Sequence, residues 1–213
     1  MEITTKNVSG LSDKIADAVL MYWFGDLKEG EIPSSECRKL WWSKVKDTDI
    51  SIKDLFEKHL EAARALELRS LERTPRGILA LIVLLDQFSR NIYRNTPRAF
   101  SQDALALKTA LKGMERGLDE TLHPMERTFY YMPLMHSEDI GIQKISLESY
   151  ARLEMSCSGP PELREVLCNS REYAEKHAEI IARFGRYPHR NDILGRRSTE
   201  EEIKFLEEPG SSF

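Results

Sequence analysis

Residues 74–100 read TPRGILALIVLLDQFSRNIYRNTPRAF, and the character of this stretch decides the fold. Thr74 followed by Pro75 is a helix start: a hydroxyl that can cap the first amides, then a residue whose missing N–H and fixed φ suit the first helical position. The eight residues 78–85 are all apolar, which leaves no face for water and places this helix at the centre of a core. Such a run is far shorter than the roughly 20 residues that span a bilayer. The helix then turns polar, with Asp86, Gln87, Arg90, Asn91 and Arg94. Asp86 and Arg90 are four apart and share a face, as do Gln87 and Asn91. A charge appended to a buried helix is costly unless it is paired. The segment is therefore either an i,i+4 ion pair at the exit of a core helix or the floor of a polar pocket in which Arg90 or Arg94 holds an anion.

Helical periodicity continues on both sides of this segment. Ile15, Val19, Tyr22 and Trp23 recur at helical steps in residues 11–24, and Gly25 is placed to end that helix. Pro33, Ser34 and Ser35 open a second helix carrying Trp41 and Trp42, which with Trp23 and Phe24 are expected to pack the N-terminal helices together. A third helix is expected to start at Asp49 as its N-cap and to carry Ile52, Phe56, His59 and Leu60 on one stripe. Thr96 and Pro97 repeat the start signal ahead of a helix that Gly117 stops. Pro124 opens a short aromatic helix interrupted by Pro133. Ser137, as N-cap, opens a helix running to about Met155. The longest stripe, from Val166 through His177 to Phe184, ends at Gly185. Ser198 with Glu201 is expected to form a capping box for a last short helix. No strand-like alternation is present, and the short connections call for antiparallel helix pairs.

Composition bounds the function. The chain has 213 residues, 41% of them hydrophobic and 31% charged, the balance of a globular protein. We expect one all-helical domain over residues 1–207 and a short tail over 208–213. With Lys plus Arg at 31 and Asp plus Glu at 35, the formal charge is −4. A field of that sign does not attract a phosphate backbone, so nucleic acid is disfavoured as a partner. The opening segment, MEITTKNVSG, lacks a basic region followed by an apolar one, so no secretory signal is expected. Cys37, Cys157 and Cys168 are widely spaced without a CxxC pair, which points to free thiols in a reducing cytoplasm. No GxGxxG, Walker loop, GxSxG or HExxH occurs, so no metal site or nucleotide-binding motif is assigned and the cofactor is left open.

Two further segments break the amphipathic rule. In YYMPLMHSEDI, residues 130–140, His136, Glu138 and Asp139 sit at a break between helices. They serve either as helix caps or as an imidazole–carboxylate pair able to move protons near neutral pH. One His beside acids is a weak metal signal. In RFGRYPHRNDILGRRST, residues 183–199, the arginines Arg183, Arg186, Arg190, Arg196 and Arg197 accompany His189 and Asn191. Such a loop needs partners for its donors: Asp86, Glu138 or Asp139 in a structural clamp, a phosphate or carboxylate ligand, or a short RNA patch with Tyr187 as stacking group. His59 and His177, lying on apolar stripes, are expected to be satisfied core or boundary residues.

The segments LDQFSRNIYRNTPRAF, YMPLMHSED and RFGRYPHRNDILGRRSTEEEIKFL together resemble the signatures of a largely bacterial family, domain of unknown function 924. The likeness extends from Val19 to Leu206. Ser89 stands where the family usually has proline, Trp42 and Tyr187 where it has phenylalanine. IGIQ at residues 140–143 replaces LADQ, which removes a carboxylate at Ile142 and keeps Gln143. The resemblance implies a tetratricopeptide-like fold and brings no established activity.

The expectation that follows is an all-α, single-domain, tetratricopeptide-like array of antiparallel helix pairs with a polar site on its concave face. Asp86, Arg90, His136, Glu138, Arg186, His189 and Arg190 are expected to converge there. His136, Glu138 and His189 are the candidate catalytic groups; Asp86, Gln87, Arg90, Asn91, Asp139, Arg186, Arg190 and Asn191 are the candidate ligand-binding groups. The function expected is binding of a peptide or small anionic ligand. The alternative is a small cytosolic enzyme with a His/carboxylate acid–base pair and arginine clamps, and an internal polar clamp without a ligand is the third option.

Overall fold

A computed structural model describes the backbone of residues 3–211 and the side chains of Gly10 and of residues 13–211. Every regular element among the described residues is helical. No helix among the described residues is long and apolar enough to cross a membrane.

The central helix forms as the sequence dictates. In α4 (Pro75–Ile82), Thr74 Oγ1 accepts the Gly77 N–H at 3.1 Å, and every residue from Gly77 to Ile82 is buried. The helix does not simply stop at the apolar limit. Residues Val83–Phe88 widen into a π turn, in which the Ser89 N–H reaches back to the Leu84 carbonyl, and α5 (Ser89–Ile92) follows. A π turn adds one residue to the helical circuit and shifts the facing of all that come after it; such turns recur at functional sites. Here it holds Asp86 and Ser89 fully inside the protein.

The other helices wrap this axis. α1 (Ile3–Phe24) packs along α4, and α3 (Lys46–Arg64) lies against the π turn and α5. α6 (Asp103–Met114) and α7 (Pro124–Tyr130) close the remaining sides. Trp23, Phe24, Trp41, Phe88 and Phe129 meet edge to face with centroids 4.6–5.9 Å apart, an arrangement favoured by the ring quadrupole. Trp41 belongs to the short α2 (Ser35–Trp41) and donates its indole N–H to the Trp23 carbonyl. Trp42 does not join them: α2 ends one residue earlier, and Trp42 is 68% exposed.

After α7, the short α8 (Met132–Met135) leads to α9 (Ile140–Met155) and α10 (Pro161–Phe184). The connection 156–160 is so short that α9 and α10, packed along each other, run antiparallel. Gly185, at φ 67°, ends α10 in the left-handed region and turns the chain back toward the core. Tyr187 then buries itself completely, with Ile180 and Ile181 at its side. The chain finishes with α11 (Glu200–Leu206).

Four expected helix caps move. α3 begins at Lys46 rather than Asp49, because the Asp49 carboxylate is taken by Arg94 (2.7 Å) and Asn91 (2.9 Å). Thr96 opens only a 3-10 turn, Pro97–Phe100: its hydroxyl donates to the Tyr93 carbonyl, and the helix waits until Asp103. Asp139, not Ser137, caps α9, accepting the N–H groups of Gly141 and Ile142 at 2.7 and 3.0 Å. The last capping box is Thr199 with Glu202, one residue after the expected pair.

Candidate functional site

The π turn delivers Asp86 and Gln87, and the next turn delivers Arg90 beside them. Asp86 is 0% exposed and accepts from Gln87 Nε2 at 2.6 Å, with Arg90 Nη1 3.0 Å away. His136, at the exit of α8, brings Nδ1 to 2.8 Å from Asp86 Oδ1. Burial alone would raise the Asp86 carboxyl, but Arg90, His136 and Gln87 outweigh it and hold the group well below the usual carboxylate range. An ionised carboxylate only accepts, so Nδ1 of His136 carries the proton of this hydrogen bond. Burial and then the Arg90 charge press the His136 pKa down. The ring is thus neutral at pH 7, and its Nε2 presents a lone pair with no hydrogen-bond partner among the described residues.

A second carboxylate completes the core of the cluster. Asp103, in the first turn of α6, accepts from Arg90 Nη2 at 3.1 Å and from Arg190 Nη1 at 3.2 Å. Arg190 comes from the 3-10 turn Pro188–Arg190 and is only 6% exposed. Its guanidinium lies 4.8 Å from the centre of the Phe100 ring and 4.6 Å from that of Tyr187, a stack that steadies a cation on two aromatic faces. Among the described residues, the Asp103 bond is the hydrogen bond its fork makes, and its buried Nε has no partner. Burial and then the neighbouring Arg90 lower its pKa. Two arginines are balanced by Asp86 and Asp103, with hydrogen-bonding capacity left over on one of them.

The loop that carries Arg190 is latched from outside. Arg196 grips Glu138 with both terminal nitrogens at 2.7 and 3.0 Å, and the same carboxylate accepts the Tyr187 N–H at 2.9 Å. Burial raises the Glu138 pKa, yet Arg196 prevails and the group stays below the ordinary value. The Tyr187 hydroxyl donates to the Met135 carbonyl and accepts from Gln143 Nε2 at 2.9 Å. Gln143 also donates to the carbonyls of Met135 and Ser137, so one amide ties the loop to the segment that positions His136.

Two more imidazoles stand nearby. His177, from α10, sets its Nδ1 2.7 Å from the Tyr173 carbonyl and its ring 6.2 Å from that of His136. Burial, and then His136, bring its pKa to about 3. His189 stacks 5.6 Å from Tyr187; burial, Arg190 and His136 bring it to about 4.

The expected residues thus divide. Asp86, Gln87, Arg90, His136, His189 and Arg190 share one neighbourhood, with Glu138 one step out as a latch. Arg186 pairs with Glu202 at 2.6 and 2.7 Å, Asn91 donates to Asp49, Asp139 caps α9, and Asn191 donates to Ser198 Oγ at 3.0 Å. Asp103 was not anticipated from the sequence, whereas His177 is buried with its Nδ1 at a backbone carbonyl, the satisfied core residue that its apolar stripe predicts. An acid in a first helical turn looks like a dipole complement. The signal for Asp103 was arithmetic: Arg90 and Arg190 together need more than Asp86.

The sequence model of a family described as bacterial protein of unknown function (DUF924) matches residues 19–210. A solved structure of a protein of unknown function from Agrobacterium tumefaciens is similar, with 31% identity and a TM-score of 0.77 over 92% of this chain and 98% of that one. No curated protein matches the chain.

Proposed function

Because the chain belongs to the DUF924 family of bacterial proteins of unknown function, we propose a function from its own residues: it binds a small anionic ligand through the Arg/His/Asp site around Arg190. One observation carries this reading. Arg190 is more than nine-tenths buried and stacked between Phe100 and Tyr187, yet it makes one hydrogen bond and leaves Nε unpaired. Burying an underused guanidinium is costly unless something repays it, and planar forks of this kind suit carboxylate and phosphate oxygens. The parts of Arg90, His136 and Asp103 that reach solvent are small, with 16–21% of each side chain exposed. That opening fits one anionic group, of a small molecule or of a peptide terminus or side chain, better than a length of extended backbone. The same reading takes the helices as a tetratricopeptide-like curve of pairs with the site on its inner face, supported by the packing of α9 along α10 and α1 along α4. A reducing, cytoplasmic setting is supported by three free cysteines, Cys37, Cys157 and Cys168.

A thermal-shift screen with carboxylates and phosphate esters tests the proposal. A ligand present at about a hundredfold excess over its Kd adds roughly 2.7 kcal/mol to the native state. The expected hit stabilises the wild type and leaves Arg190→Ala where it was. Equal shifts in both proteins, or none in either, would reject the reading.

The Asp86–His136 pair favours a second reading, a small enzyme that acts on the bound anion. A buried carboxylate that orients Nδ1–H and leaves Nε2 as a base is the arrangement that general acid–base catalysis uses. Under it, His136→Gln still gives a ligand-induced thermal shift, smaller than that of the wild type, and abolishes turnover of that ligand.

A further inference from the structure

The charges around Arg190 cancel before any ligand arrives. Arg90 and Arg190 face Asp86 and Asp103, and Glu138 faces Arg196. From α10, His177 adds an imidazole with Nδ1 at a backbone carbonyl, and the loop adds Tyr187 and His189. An anion drawn to Arg190 leaves a partly buried cluster one charge in deficit, and water cannot screen that deficit well. The group built to correct it is His136. Its Nδ1–H already points at the Asp86 carboxylate, which would stabilise an imidazolium, and its Nε2 is uncommitted. We infer that anion binding at this site is coupled to uptake of one proton, and that the proton goes to Nε2 of His136. This inference rests on the anion reading above and adds the regulation of the same site.

Energetics allow the coupling. In the unliganded protein, burial, Arg90 and Arg190 hold His136 below its ordinary value, while Asp86 pulls the other way. A unit negative charge about 4 Å from the ring, at the effective dielectric of a half-buried site, raises an imidazole by roughly three pKa units. That rise opposes the lowering that burial and Arg90 impose on His136. By linkage, affinity for the anion rises as the pH falls, by up to about tenfold per pH unit between the free and bound pKa values of His136. The sign is fixed: uptake on binding means tighter binding in acid. Hence the ligand would be held more firmly wherever protons are more abundant.

Sulfate is the suitable probe, because it does not titrate in this range. Isothermal titration of the full chain with sulfate at pH 6.5, in buffers of different ionisation enthalpy, gives the proton number directly. The wild type is expected to take up between about half and one proton per sulfate. His136→Gln, whose amide still faces Asp86, is expected to bind sulfate several-fold more weakly, with no uptake and no pH dependence. Imidazole nitrogen NMR of the wild type gives an independent view if that variant folds poorly: the Nε2 resonance of His136 moves to the protonated position on adding sulfate. Binding without proton uptake, or uptake that survives in His136→Gln, overturns the inference and leaves the anion reading standing. Absence of any sulfate binding up to tens of millimolar removes both.

Discussion

Asp86 is where sequence and chemistry meet at the scale of one residue. A carboxylate at the buried end of an apolar helix is tolerated because Arg90, His136 and Gln87 all reach it. Removing its charge leaves Arg90 desolvated, and breaking such a buried pair typically costs about 3–5 kcal/mol. Asp86→Asn should therefore lower the free energy of unfolding, measured in urea, by about 3 kcal/mol. The histidines predict a pH dependence of their own. His177 and His189 sit at about 3 and about 4 in the folded protein, below the unfolded value near 6.5. Between those limits the unfolded chain binds more protons, so stability falls as the pH falls from about 6.5 toward 4, by up to about 1.4 kcal/mol per unit for each group. Asp86 adds nothing to that slope, because a depressed carboxylate keeps its contribution until the pH drops below the unfolded carboxyl value near 3.9. Urea midpoints at pH 7, 6 and 5 check this: a decline is expected, shallower in His177→Asn, and a flat profile would contradict it. Asp86, Arg90, His136, His189 and Arg190 were legible in the sequence because each breaks an apolar pattern. Asp103 was not, because an acid in a first helical turn satisfies the ordinary pattern.

Among the elements, caps and close approaches decide more than propensity. The Tyr130 hydroxyl reaches α6 so closely that a Cβ on Gly113 would lie 1.8 Å from it, and it stands 3.4 Å from the Ala110 carbonyl. Alanine gains at most about 1 kcal/mol of helix propensity over glycine, whereas overpacking costs about 1–3 kcal/mol. Gly113→Ala should thus be destabilising in denaturant titrations, against the usual trend for a helical glycine. Thr74→Ala should cost about 1 kcal/mol through loss of the α4 cap. The existence of every long helix could be read from period and punctuation. Their starts were less legible where a polar side chain had another partner: Asp49 serves Arg94 instead of a helix end, and Ser198 serves Asn191. The π turn was invisible, since nothing local in VLLDQF distinguishes it from ordinary helix; packing against α3 and α6 accompanies it.

On the scale of the whole molecule, residues far apart in sequence are made to share one neighbourhood by a few ties. Gly185 reverses the chain, Tyr187 anchors it, and Arg196 on Glu138 keeps the returning loop against the exit of α8. Glu138→Gln should leave the helical core folded while loosening residues 186–197, seen as faster amide exchange confined to that loop and weaker anion binding. The anion assignment itself is tested most directly by diffraction from crystals soaked in selenate, whose selenium is located by anomalous scattering. A selenate peak is expected with oxygens about 3 Å from the guanidinium of Arg190 and within hydrogen-bond reach of His136 Nε2. Peaks confined to other surfaces, with the Arg190 fork unchanged at saturating selenate, would contradict it.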